Sequence, residues 1–309
     1  MAENKSVSSK LVEKLSDNNK DILSNIENVF LDCDGVIWKQ NELLNKANDV
    51  IKKLQDSGKN VFLVTNSSVM TQDGLWRKCL SFGISLNKDC TISSATTTAQ
   101  YLKSISFKKK IYVIGSQELA EELQSLGFCC VGPMEENYGI SHLLATTQNG
   151  DLDIDPEVGA VVVGLDGGFN YGKIFKASCY LTNPDCIFLA CNVEKKHHID
   201  NTNYYLPIDG VLVHAIESAT GRKATVIGKP SRFIFDFLSS KFDLKPEKCL
   251  MVGDTIQTDI VFGNDCGMKT LLVLTGFSSL EDVEKVRNEN EKMIPHYFIE
   301  SLGDIYDLI

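Results

Sequence analysis

The sequence predicts an α/β fold in which a parallel-sheet core is interrupted by a second, inserted α/β domain. Three observations carry that prediction. Short apolar runs alternate with stretches of helical spacing, the pattern of a parallel sheet joined by right-handed crossovers. Four of the runs end in polar or charged groups: Asp32 and Asp34, Thr65 and Asn66, Lys229, and Asp254. From about Lys108 the alternation starts afresh, with runs that carry no such series at their ends.

The elements follow in chain order. Residues 1–20 are polar and lack an apolar centre, so they read as a flexible arm rather than a secretory signal, leading into a first helix. Val29-Phe30-Leu31 reads as a buried parallel strand. Leu43 to Ser57 has helical spacing and a stop at Gly58. Asn60 to Val64 is a second strand, followed by a helix from Thr71 to Phe82 closed by Gly83. Ile92-Ser93-Ser94 is a short strand, and Ala95 to Leu102 a helix. Ile111–Ile114, Ala160–Val163 and Ile187–Ala190 are strands of the insertion. Strands at Thr225, Leu250 and Leu271 complete the core sheet, joined by a helix over Phe233–Phe242 and one opening after Asp254. The expected division is a core of 21–106 with 222–309, and an inserted domain of 107–221.

Composition narrows the function. At 309 residues and 43% hydrophobic, the chain can bury two cores. A formal charge of −10 argues against nucleic acid and anionic membrane as partners. No apolar stretch approaches the roughly 20 residues of a membrane span. The ten cysteines are scattered, with Cys129-Cys130 adjacent and no CxxC pair, which excludes a zinc site or redox motif of that spacing. Reduced thiols of a cytoplasmic protein account for them better. Cys33 reads as a small residue facing the core, with oxidation sensitivity the alternative.

A buried strand has no structural use for two acids at its tip, whereas the carboxyl edge of an open α/β sheet is where ligands bind. Two acids one residue apart can divide the labour, one attacking or holding a metal and the other moving a proton. The rival, a calcium loop counted from Asp32, fails because its fifth and twelfth positions are Val36 and Leu43. Taken singly, Thr65 and Asn66 could cap the next helix, Lys229 could be a loop residue, and Asp254 and Asp259 a cap and a surface charge. Converging on one edge, they read as a phosphate-handling set. Gly167 to Ile174 imitates a phosphate loop, but Ile174 stands where the magnesium-holding hydroxyl belongs, so a strand-to-helix turn is expected. His197-His198 beside Asp200 reads as a solvated loop able to touch substrate.

These motifs, in this order, resemble the haloacid dehalogenase superfamily: DxDGV at Asp32, a threonine at Thr65, a lysine at Lys229 and GDxxxxD at Asp254. The insertion between the second and third motifs is similar to the large α/β cap of the p-nitrophenylphosphatase branch, which includes phosphoglycolate phosphatases and pyridoxal phosphate phosphatases. The likeness runs from about Asn28 to Val283, over nearly the whole chain. It implies a Rossmann-like core, with Asp32 as nucleophile and Asp34 as general acid and base. It implies Mg2+ held by Asp32, the Asp34 carbonyl and Asp254, with phosphate gripped by Thr65, Asn66, Ser67 and Lys229. Asp259 would position Lys229 or a metal-bound water, and His197 would touch substrate. The chain departs from the branch at Ser67, where an asparagine is usual, and at Ala190-Cys191-Asn192-Val193-Glu194, where A-T-N-x-D is usual. The implied substrate is a small phosphate monoester, 2-phosphoglycolate first, with pyridoxal 5′-phosphate and phosphoproteins as alternatives. A homodimer through the cap is the implied assembly.

Overall fold

The computed structural model describes residues 12–132, 154–199 and 202–309. These form two compact units, one of the chain up to Leu63 with Leu244–Ile309, the other of Val64–Asp243. The expected insertion, 107–221, lies within the second unit, which also takes in the flanking stretches down to Val64 and up to Asp243.

The first unit opens with β1 (Glu13–Lys14), which pairs in parallel with Tyr297–Phe298, and Leu15 beside it is buried. The arm expected over 1–20 is therefore anchored in part: a sheet edge offers unpaired main-chain groups, and the chain takes them up. Residues 1–11 lie outside the described residues. After α1 (Asp21–Asn25), every residue of β2 (Asn28–Leu31) is buried, as a strand covered on both faces must be. A two-stranded ribbon follows, β3 (Trp38–Lys39) with β4 (Glu42–Leu43). Then α2 (Ala47–Asp56) buries Ala47, Val50, Ile51 and Leu54, a single stripe at helical spacing. It starts four residues later than the spacing suggests, because Glu42–Leu43 are committed to the ribbon and Lys46 adopts a left-handed φ of 56°. Gly58, at φ +81°, ends the turn beyond it. Next, β5 (Asn60–Thr65) carries the chain into the second unit.

That unit runs α3 (Gln72–Ser81), β6 (Thr91–Ser93), α4 (Ser94–Ser104), β7 (Lys110–Ile114), α5 (Gln117–Ser125), β8 (Cys130–Val131), β9 (Val158–Val163), α6 (Tyr171–Leu181) and β10 (Ile187–Ala190). The ribbon β11 (Lys196–His198) with β12 (Tyr205–Pro207), α7 (Asp209–Thr220), β13 (Thr225–Val226) and α8 (Phe233–Phe242) complete it. Its parallel sheet has the order β13-β10-β9-β7-β8. Strand pleating divides the core in two. Tyr112, Ile114, Val161, Val163 and Phe188 pack with Tyr180, Leu212 and Ile216, while Ile111, Val113, Ala160, Val162 and Leu189 pack with Ala95, Leu102 and Leu119. Burial on both faces is why these strands read as unbroken apolar runs.

One strand expected in the core sheet belongs here instead. Thr225–Val226 pairs with Leu189–Ala190 at the edge of this sheet. Two residues long, with Thr225 exposed, it is an edge strand, and nothing in a four-residue apolar run tells which sheet it joins.

Back in the first unit come β14 (Cys249–Gly253), α9 (Val261–Cys266), β15 (Lys269–Val273), α10 (Leu280–Val286) and β16 (Tyr297–Ile299). The strand order β1-β16-β15-β14-β2-β5 is parallel throughout. Phe30 stacks on Phe62 at 5.0 Å and meets Phe262 edge-on at 6.4 Å, filling the centre. The pairing Val252↔Leu31 places Asp32 and Gly253-Asp254 at the same carboxyl edge. Among the described residues no helix is long and apolar enough to cross a membrane. All ten cysteines are free thiols, and burial pushes those of Cys79, Cys130, Cys191 and Cys249 up to about 12. Cys33 is fully buried, as a small core-facing residue would be.

Candidate active site

In the first unit the chain turns sharply after β2. The Cys33 carbonyl accepts the N–H groups of Val36, Ile37 and Trp38, and the Gly35 N–H donates to Trp38 O at 2.8 Å. Gly35 sits at φ +81°, and a Cβ there would lie 2.6 Å from Asp254 Oδ2. A Cβ on Gly276 would come still closer to the same oxygen. Only bare backbone lets the loops after β2, β14 and β15 approach this carboxylate. Phe277 N–H donates to Asp254 Oδ2 at 2.7 Å, Thr255 Oγ1 to its Oδ1 at 3.2 Å, and Thr275 Oγ1 to Gly35 O at 2.6 Å.

A π-helical turn over Ile256–Ile260 swings Asp259 back toward the strand end. Its Oδ2 accepts the N–H groups of Asp254 at 3.1 Å and Thr255 at 3.0 Å. Asp32, Asp254 and Asp259 are all buried and offer oxygens within 4.8 Å of one another. Three carboxylates this close and this shielded repel one another. Hard oxygen donors so grouped fit a divalent cation of the magnesium or calcium type. Asp34 differs from them. It is exposed, and its Oδ1 accepts the indole N–H of buried Trp38 at 3.0 Å, so the side chain is aimed while staying in reach of water.

In the second unit β5 ends at Thr65, whose Oγ1 accepts the Ser67 N–H at 3.1 Å and keeps its own proton for another oxygen. Neither Thr65 nor Asn66 caps the next helix; Thr71 does, accepting from Gly74 N–H. The Asn66 amide instead brackets Lys229, accepting its N–H at 2.8 Å and donating to its carbonyl at 3.0 Å. Lys229 is 2% exposed, and its Nζ donates to Val64 O at 2.9 Å. Thr65, Asn66 and Lys229 are thus one construction, which a cis Lys229–Pro230 bond follows. Ser67 is half-buried and contributes through its main chain.

His197 lies exposed on β11 opposite Leu206. Its neighbour His198 meets Tyr205 edge-on at 5.3 Å, and Lys196 lies over the same ring at 4.4 Å. Asp200 lies outside the described residues. The imitation phosphate loop is a strand-to-helix turn, as its missing hydroxyl predicts. Lys173 is buried and paired with buried Asp166 at 2.5 Å, and Asn170 caps α6.

Sequence reasoning missed several partners. Asn66 O accepts from Ser94 Oγ at 2.8 Å and from Asn192 Nδ2 at 2.9 Å. Ser68 Oγ donates to Asp209 and accepts from Leu165 N–H. Trp38 was missed too. The signal for Trp38 was its four-residue distance from Asp34; an acid at the first position of a helix, such as Asp209, reads as a dipole partner and gives no warning.

A parallel α/β sheet that gathers buried acids at its carboxyl edge has the build of an α/β enzyme with its site at the strand ends. The particular family follows from the sequence. Residues 29–129 match the haloacid dehalogenase-like hydrolase model, and residues 226–305 match a second model described as HAD-hydrolase-like. The chain is 37% identical over 298 residues to phosphoglycolate phosphatase 2 of Arabidopsis thaliana, spanning 95% of this chain and 97% of that one. It is 36% identical to glycerol-3-phosphate phosphatase of Rattus norvegicus, spanning 92% and 91%. The crystal structure of 4-nitrophenylphosphatase from Thermotoga maritima superposes with a TM-score of 0.76 at 26% identity, covering 93% of this chain and 98% of that one. The chain belongs to the haloacid dehalogenase-like hydrolases and is a phosphatase.

Proposed function

We propose that the chain hydrolyses a small phosphate monoester, 2-phosphoglycolate first, by two-step transfer through Asp32. An Asp32 oxygen attacks phosphorus, and the bond to the ester oxygen breaks. Asp34, exposed and aimed by Trp38, gives its proton to the departing alcohol. The same carboxylate then takes a proton from the water that attacks the aspartyl-phosphate, releasing inorganic phosphate and restoring Asp32. Thr65, the main chain at Asn66 and Ser67, and Lys229 hold the transferring oxygens and offset their charge. Mg2+, held by Asp32, the Asp34 carbonyl and Asp254, would supply charge compensation for a carboxylate attacking an anion. Asp259 orders the Gly253-Asp254-Thr255 turn through two main-chain N–H groups.

The observation that carries this reading is the contrast within one motif. Asp32 is buried beside two further carboxylates, whereas Asp34, two residues on, is open to solvent and held by an indole. Substrate choice rests on two observations. The relative named for phosphoglycolate supports it, and the exposed run Lys195-Lys196-His197-His198 suits a substrate with a second negative charge. Glycerol 3-phosphate is the second reading, favoured by the relatives that bear its name. We place the enzyme in the cytoplasm, as a homodimer through the inserted domain of residues 107–221.

The test is phosphate release from 2-phosphoglycolate, glycerol 3-phosphate, pyridoxal 5′-phosphate and a phosphopeptide, with Mg2+ and with excess chelator. The expected result is chelator-sensitive turnover with the highest kcat/KM on 2-phosphoglycolate. Chelator-insensitive turnover would remove the metal from the scheme, and a higher kcat/KM on glycerol 3-phosphate would reverse the substrate order.

A further inference from the structure

One buried carboxylate has no part in the chemistry above. Asp209 is the first residue of α7, yet it is 3% exposed. An acid in that position ordinarily faces water and favours its own helix dipole. Here it faces inward, and its Oδ1 accepts the Ser68 hydroxyl at 2.5 Å. Burial pushes the carboxyl up, and the polar groups that face it, the Ser68 hydroxyl first, pull it back.

Two side chains near it, Ser68 and Asn192, are tied to the loop that brackets Lys229. Asn192 Nδ2 also donates to Asn66 O at 2.9 Å, and Asn192 Oδ1 accepts the Glu194 N–H at 3.0 Å, so both ends of that amide are fixed. Ser68 lies two residues beyond Asn66 and accepts the Leu165 N–H at 2.9 Å. Asn66 in turn clamps the Lys229 main chain. Nor can Asp209 drift. Gly210 N–H donates to Glu194 O at 2.8 Å, and a Cβ on Gly210 would lie 2.2 Å from Val193 O, so the first turn of α7 is pressed onto the segment carrying Asn192.

We propose that Asp209 is a positioning residue of the phosphate-gripping loop: its carboxylate fixes the Ser68 hydroxyl, two residues beyond Asn66, and through that loop the Asn66 main chain and Lys229. The assignment rests on the reading that Thr65, Asn66 and Lys229 hold the phosphoryl group. Asp209 itself touches no reacting atom. Its removal loosens the loop, which weakens binding of any phosphate, product included. A residue that only stabilises the fold would not move phosphate affinity in enzyme that is fully folded.

The experiment measures kcat/KM on p-nitrophenyl phosphate, competitive inhibition by inorganic phosphate, and Tm for Asp209→Asn, Ser68→Ala, the double variant and Lys229→Ala. An Asn at 209 keeps the volume but presents an NH2 group to surrounding donors. The expected result is a loss of about 10- to 100-fold in kcat/KM, with phosphate inhibition weakened in parallel. The double variant should lose no more than the worse single one, as members of one network do. Unchanged phosphate inhibition in folded Asp209→Asn, or losses that multiply in the double variant, overturns the proposal. If Asp209→Asn does not fold, Ser68→Ala decides by the same two measurements. Inhibition retained in Lys229→Ala overturns the reading of the loop and this assignment with it. Inhibition lost there but kept in Asp209→Asn overturns the assignment alone.

Discussion

The two units hold their polar groups by different means. In the first, two of the acids are set mainly by main chain, Asp254 by the Phe277 N–H and the backbones of Gly35 and Gly276 and Asp259 by the N–H groups of Asp254 and Thr255, while Asp34 is aimed by the Trp38 indole. In the second, the polar residues around Lys229 are set by side chains: Asn66 on Lys229, Asn192 on Asn66, Ser68 on Asp209. Backbone geometry allows almost no substitution, because a Cβ or a changed φ displaces the charge it positions. A side-chain network can be rebuilt from other residue types so long as donors meet acceptors. The difference teaches that the acid edge of the first unit leaves little room for substitution, whereas the network of the second leaves more.

The comparison breaks most directly at Asp32. Asp32→Asn keeps shape and burial but removes the attacking charge, so kcat should fall by on the order of 10⁴–10⁶ with Tm nearly unchanged. Stopped assays of phosphate release check it; turnover within tenfold of wild type would mean that the first unit does not carry the nucleophile.

A buried lysine in the second unit supplies the next test. Lys173 and Asp166 form an enclosed ion pair, with side chains 2% and 6% exposed. Lys173→Met strands Asp166 without its cation and should cost roughly 3–5 kcal/mol of stability. Adding Asp166→Leu should recover most of that. Urea unfolding measures both, and kcat/KM of the folded variants should stay near wild type. A collapse of kcat/KM in a folded Lys173→Met enzyme would mean that the turn handles phosphate after all.

Gly35→Ala sharpens the claim about backbone. Alanine at φ +81°, with its Cβ 2.6 Å from Asp254 Oδ2, must shift either the turn or the carboxylate. A displacement near 1 Å costs about 100-fold in rate. Steady-state kinetics should show it mainly in kcat, and a wild-type kcat would show that the acid edge tolerates movement.

Much of this was legible in the sequence because burial on both faces leaves an unbroken apolar run, and because the polar residue after such a run has few structural excuses. Asp32, Asp34, Thr65, Lys229 and Asp254 all announce themselves that way. What was not legible depends on pairing between distant segments. Thr225–Val226 could join either sheet, since two residues carry no register information of their own. Asp209 gives no signal in the sequence, and only its contact with Ser68, 141 residues away, gives it a role. Trp38 stands four residues from Asp34, but its role comes from the Cys33 carbonyl, which gathers three N–H groups and folds the turn back on Asp34.

The smallest effect concerns acid stability in the first unit. Thr270 N–H donates to His296 Nδ1 at 3.2 Å, with the Thr270 hydroxyl 2.8 Å from the same nitrogen, so that nitrogen is an acceptor and the ring is neutral. Burial on that side, and then the Lys269 charge, hold its pKa below the usual histidine value of 6.5. Because the folded value lies below the unfolded one, the neutral ring's contribution is whole above pH 6.5 and is lost as pH falls below it toward the folded value. The residue also has an exposed face, so solvent screens much of the effect. His296→Gln keeps an acceptor without a titrating ring. Between pH 8 and pH 5 the wild-type Tm should fall further than the variant's, by on the order of 1–2 °C. Parallel Tm curves would show that Thr270 does not discriminate between the two charge states of the ring.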